Sequence, residues 1–179
     1  MSCKWKYSMR LNPCIIINMI IMAQPAFSMD VIVKNIPDAK IVGTGTLSLA
    51  FWDIYDATLY APDSKINKTK PFALTIRYMR EIEGRDIADR SAQEIRKQGF
   101  VDEFKLTDWN RQLKNIFPSV ANGTVLSAIF IPGDRTIFYD GSRHIGTVKD
   151  AEFTIWFANI WLGEKTSEPV LRRRLLGLP

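Results

Sequence analysis

Between Thr124 and Val148 the chain spells out three short strands separated by two tight turns. They run Thr124-Val-Leu-Ser-Ala-Ile-Phe-Ile131, the turn Pro132-Gly-Asp134, Arg135-Thr-Ile-Phe-Tyr139, the turn Asp140-Gly141, and His144-Ile-Gly-Thr-Val148. Connections this short permit only hairpins, and their Gly, Pro and Asp residues supply the backbone angles a reversal requires. A parallel pair would need a crossover of a dozen or more residues. The meander therefore commits this part of the chain to an antiparallel sheet and excludes a parallel dinucleotide-binding fold.

The remaining pattern extends that sheet and adds helices. Val31 to Val33 can start it, and Gly43 to Tyr60 is β-rich throughout, long enough for one bent strand or for two strands meeting near Trp52 and Asp53. After a polar loop from Asp63 to Lys70, Phe72 to Met79 alternates, with Leu74, Ile76 and Tyr78 on one face and Thr75, Arg77 and Met79 on the other. Ala88, Ala92, Ile95 and Gly99 then recur at helical spacing while Asp86, Arg90, Glu94 and Lys97 can face water. Thr107 or Asp108 can cap a second helix carrying Trp109, Leu113 and Ile116, which Phe117-Pro118 ends. Asp150 can cap a third, with Phe153, Trp156, Phe157, Ile160 and Trp161 as an apolar stripe, and Ser167-Glu-Pro169 opens a last one that Gly177 stops. Hairpin-linked strands with helices grouped apart from them predict an α+β fold, an antiparallel sheet covered on one face by helices.

The amino terminus is of a different kind. Lys4, Lys6 and Arg10 precede the apolar run Cys14 to Ala23, and Ala26-Phe-Ser28 has small residues where a signal peptidase reads. This is the pattern of a cleavable secretory signal over residues 1–28, and it predicts a periplasmic protein cut after Ser28. The run is too short, and broken by Asn18, for a comfortable membrane span, which takes roughly 20 apolar residues. The remaining residues 29–179 form one domain without cysteine, because Cys3 and Cys14 leave with the signal. Losing three basic residues also lowers the formal charge from +5 to +2, and with no Lys/Arg-rich arm a nucleic-acid role has no electrostatic support.

Several chemistries are absent from residues 29–179. With no cysteine and His144 as the sole histidine, they cannot form a thiolate site or a Cys/His or two-histidine metal site, and no cofactor motif is present. Gly43-Thr-Gly lacks a third glycine and leads into a strand, unlike a phosphate loop. His144 stands at a strand start with no nucleophile elbow elsewhere. Asp53 and Asp56, three apart in a strand, point to opposite faces, which argues against an acid-base pair unless the strand bends there. Arg172, Arg173 and Arg174 suit the C-terminal half of a helix.

What the chain does hold is aromatic surface: Phe51, Trp52, Tyr55 and Tyr60 in one strand region, and Phe153, Trp156, Phe157 and Trp161 in one helix. Such residues fill cores, and they also line pockets for apolar ligands when a few polar groups fix one end. Arg77, Tyr78, Tyr55 and Trp109 are the candidates for that end, with Trp156 and Trp161 for the walls. Arg77 stands out as a charge in an apolar strand, where a guanidinium needs water or an anion to fork around.

Tyr55-Asp-Ala-Thr-Leu-Tyr60, Leu74-Thr-Ile-Arg-Tyr78, Phe117-Pro118, Ile160-Trp-Leu162 and Leu171-Arg-Arg-Arg-Leu-Leu-Gly177 together resemble the bacterial chalcone isomerase-like family. The resemblance spans nearly all of Val31 to Leu178. It implies an open-faced sandwich whose plant enzymes cyclise chalcones and whose non-enzymatic relatives bind fatty acids. The arginine that both groups place after the first-strand glycines is missing from Gly43-Thr-Gly-Thr-Leu-Ser48, and two threonines of the enzymes fall on or near Ile54 and Ile160. Chalcone cyclisation needs fixed donors for a developing oxyanion, so the resemblance implies a non-catalytic binder of a fatty acid or other apolar molecule. Two other readings stand beside it: an isomerase or lyase on an unsaturated substrate that uses Arg77 and a tyrosine, and an envelope scaffold that meets a protein partner.

Overall fold

The computed structural model describes residues 26–179, so most of the expected signal segment lies outside the described residues. Six strands form one sheet in sequence order, every neighbour antiparallel: β1 (Ala39–Leu49), β2 (Trp52–Pro62), β3 (Phe72–Tyr78), β4 (Val125–Ile131), β5 (Arg135–Asp140) and β6 (Arg143–Val148). The Gly43–Tyr60 stretch is two strands, reversed by Ala50 and Phe51. The β4–β6 meander is as the turns dictate, with Gly133 and Gly141 at positive φ.

Four helices cover one face: α2 (Gly84–Lys97), α3 (Glu103–Ile116), α4 (Ala151–Leu162) and α5 (Pro169–Leu175). Between them and the sheet runs a belt of rings. Phe157 packs against Phe117, Phe130, Phe138, Phe153 and Trp161, with centroids 5.0–6.5 Å apart. Each large side chain fully buried there contributes about 1.5–3 kcal/mol of transfer free energy. Asp150 caps α4 by accepting from the amides of Glu152 and Phe153, as its position predicts.

Two expectations about the helices are corrected. Val31 to Val33 do not start the sheet; they belong to a helix, α1 (Ala26–Asn35). An apolar triplet fits either state, and here Ile32 and Ile36, four residues apart, share one side and bury against Ala73 and Ile129 on the other face of the sheet. The second correction concerns α3, which starts at Glu103, ahead of Thr107. Asp102 is its cap, accepting from the amides of Phe104 and Lys105 at 3.1 and 3.0 Å, so Leu106 joins Trp109 and Leu113 on the buried stripe.

The glycines of β1 are not a strand entry. Gly43 and Gly45 lie within the strand, where α5 comes so close that a Cβ on Gly43 would sit 2.1 Å from the Arg174 carbonyl oxygen and one on Gly45 2.7 Å from Leu171 Cδ1. Glycine at these positions lets the last helix dock on the sheet.

Candidate functional site

A cleft of about 240 Å³ opens between the sheet and the helices at the β1–β2–β3 end. Leu47 and Leu49 of β1, Ile54 and Tyr55 of β2, and Ile76 and Tyr78 of β3 form its floor; Ile87 of α2 and Ile160 and Trp161 of α4 form its walls. Ile76, Tyr78, Ile87, Ser91 and Trp161 also bound a smaller void of about 50 Å³ that continues inward toward Phe117, Phe138 and Phe157. Together these spaces approach the lower end of ligand pockets, which run from about 300 Å³ upward.

Three of the six sequence-predicted residues meet here. Tyr55 and Tyr78 lie on adjacent strands with their rings edge to face at 6.0 Å, because Tyr55 pairs with Tyr78 across the ladder. The indole of Trp161 donates to the Tyr55 hydroxyl at 2.9 Å. Burial pushes the Tyr55 hydroxyl up to about 12, against the lowering effect of that bond, while Glu168 raises it further. Burial raises Tyr78 as well, followed by the neighbouring Tyr55, and no hydrogen bond offsets the shift. Both tyrosines are therefore neutral at ordinary pH and remain hydroxyl donors.

The other three lie elsewhere. Arg77 points to the far face of the sheet, opposite Tyr78 as strand alternation requires, and donates to Asp56 Oδ2 at 2.7 Å. Asp56 also accepts from Thr46 at 2.7 Å, giving a polar row across β1, β2 and β3 outside the cleft. Trp109 is a structural bridge: its indole donates to Asp150 Oδ2 at 2.9 Å, and its ring lies between Phe100 and Phe153. Trp156 packs its ring against Phe100, away from the cleft. Alternation along β3 already sets Arg77 and Tyr78 on opposite faces, so the two could not share one pocket end; the two helical tryptophans carry no mark of which neighbour they meet, and their sequence positions alone could not separate core from pocket.

The polar mouth of the cleft was missed. Glu94, whose helix position lets it face water, is 5 % exposed. Ser167 donates to Glu94 Oε2 at 2.6 Å, and Arg90 and Lys97 reach Oε1 at 2.9 and 3.0 Å. Burial pushes its carboxyl up, but the Ser167 and Lys97 hydrogen bonds and the Arg90 charge outweigh it, so Glu94 lies below its ordinary value. One signal was available: Arg90 and Lys97 stand four and three residues from Glu94, a spacing that puts both cations on one carboxylate. Asp86 and Glu168 complete the rim. Arg90 is thus engaged within the protein, and the cleft's interior donors are the two tyrosines.

His144 lies exposed on β6, its Nε2 3.0 Å from the Thr147 hydroxyl. Among the described residues no group of three His, Cys, Asp or Glu side chains is placed to hold a metal ion. No helix of the described residues is long and apolar enough to cross a membrane.

A sequence model described as chalcone isomerase-like matches residues 27–177. No curated protein matches the chain. Among solved structures, a fatty-acid binding protein of Arabidopsis thaliana superposes with a TM-score of 0.61 at 14% identity, over 78% of this chain and 87% of that one. At that identity the likeness establishes the fold.

Proposed function

We propose, from the premise that this chain belongs to the chalcone isomerase-like family, that it is a non-catalytic binder of a small apolar or amphiphilic molecule, a fatty acid or other lipid. The observation that carries this reading is the cleft between sheet and helices, a space that side chains do not fill, apolar on its floor and walls and lined by Tyr55 and Tyr78. The apolar part of the ligand lies against Leu47, Ile54, Ile76 and Ile160; Tyr55 and Tyr78 donate to an oxygen on it, and Trp161 fixes Tyr55. Ile54 and Ile160, where the resemblance implied hydroxyl-bearing residues, both line the cleft and offer no donor. The structural likeness to a fatty-acid binding protein is consistent with this class of ligand.

The enzymatic reading relied on Arg77, and the position of that guanidinium on the opposite face of the sheet, tied to Asp56, counts against it. The proposal includes secretion: cleavage after Ser28 would remove the first turn of α1 and leave Ile32 and Ile36 to cover their patch of the sheet. Intact-mass spectrometry and denaturing extraction of the protein from the envelope fraction of its host test both parts. The expected result is a chain beginning at Met29 with a stoichiometric apolar molecule that Tyr78→Phe and Tyr55→Phe retain less well. A ligand-free protein that binds no lipid on addition would overturn the binding reading; an uncut chain, the secretion reading.

A further inference from the structure

The hairpin joining β1 to β2 breaks a local rule. Leu49 pairs with Trp52, so Ala50 and Phe51 alone make the turn. Ala50 sits at φ 54°, a left-handed backbone that glycine or asparagine adopts at lower cost. Where polar turn residues would be usual, the tip is apolar: Phe51 is 98 % exposed, Trp52 59 % and Leu49 50 %. Arg80, just after β3, holds its guanidinium carbon 4.4 Å from the centre of the Trp52 ring, and its Nε donates to the Asp53 carbonyl oxygen at 3.3 Å. Local conflicts of this kind concentrate at functional sites.

The size of the patch selects its occupant. A fully buried aromatic side chain covers roughly 150–250 Å², so two rings and a leucine fall short of the about 800 Å² per partner that a standard protein interface buries. Insertion into the headgroup layer of a bilayer needs no shaped partner and a depth of only about 5–10 Å. The residue types suit that layer: Trp presents an apolar body with a polar edge, Phe an apolar wedge, and Arg an apolar stem with a head that remains among polar groups. Leu49 also lines the cleft, so the exposed tip runs directly into the cleft's apolar floor.

We propose that Leu49, Phe51 and Trp52, flanked by Arg80, form a tip that inserts into the surface of a lipid bilayer and sets the mouth of the cleft against it. This goes beyond the ligand reading and stands without it. One guanidinium contributes little long-range attraction, so docking is driven by the apolar residues and changes little with salt.

Trp52 reports the event directly. Vesicles of phosphatidylcholine brominated in the acyl chains are added to the purified protein, and emission is compared with that of Trp52→Phe. The expected result is quenching of the Trp52 component, a tenfold or greater weakening of vesicle affinity in Phe51→Ser, and unchanged melting temperature in both variants. Lack of quenching of the Trp52 component would overturn the proposal, as would equal affinity in Phe51→Ser. So would a dimer in solution that Phe51→Ser dissociates, since the tip would then serve a second copy. Retention of copurified ligand by Phe51→Ser keeps the cleft reading separate, whichever way the tip behaves.

Discussion

At the scale of single residues, Glu94 shows how a carboxylate can be buried where its helix position alone places it in water. Arg90 and Lys97 are each more than half exposed, so removing the carboxylate lets them return to solvent and limits the cost. Glu94→Gln is expected to lower stability at neutral pH by about 1–2 kcal/mol, the scale of lost charged hydrogen bonds. The sign of the pH dependence follows from the direction of the shift. The folded carboxyl lies below its ordinary 4.5, so the unfolded state takes up its proton first as pH falls. The stabilisation is whole above that ordinary value and is lost as pH drops through the lower folded one. Urea midpoints at neutral pH and near pH 3 therefore converge between the parent and Glu94→Gln on acidification; a gap that stays constant would show that Glu94 acts through packing instead of charge.

At the scale of elements, the close docking of α5 on β1 depends on the absence of a side chain at Gly43. Backbone atoms of Arg174 and Leu175 occupy the space a Cβ would need, at 2.1 and 2.6 Å, and a carbonyl cannot rotate aside as a side chain can. Gly43→Ala is expected to push the helix outward at a cost of about 1–3 kcal/mol, the range for overpacked sites. Thermal melts measure that loss. Because Leu171 packs in the core beside this contact, hydrogen exchange should accelerate first in α5 and β1. Uniform acceleration over the sheet would mean that α5 is not a separable element. The Ser167 to Glu94 bond and the Thr166 to Ile160 bond at 2.6 Å tie the α4–α5 connection to the cleft's rim, so the same variant should also loosen ligand binding.

At the scale of the whole molecule, the belt of rings makes helices and sheet one cooperative unit, since Phe157 alone touches rings from α4, from β4 and β5, and from Phe117 at the end of α3. Phe157→Ala is expected to destabilise by about 3–5 kcal/mol, with far-ultraviolet circular dichroism and tryptophan fluorescence falling together in one transition; separate transitions would mean that the helical layer unfolds independently. The meander, the alternation of β3, the Asp150 cap and the stops at Phe117-Pro118 and Gly177 were legible in the sequence because each is set by residues within a few positions of one another. The α+β class followed from them. What sequence could not carry was which buried group meets which across the layers. Tyr55, Tyr78 and Trp161 share a cleft while Trp109 and Trp156 fill the core, although all are aromatic residues in periodic elements. Val31 to Val33 became a helix because Ala73 and Ile129 offered it a surface, and Glu94 became buried because Ser167, seventy-three residues later, came to it. Local sequence determined most of the elements and their ends through backbone geometry and capping; α1 and the site were decided by contacts between residues far apart in the chain, which exist only once the layers have packed.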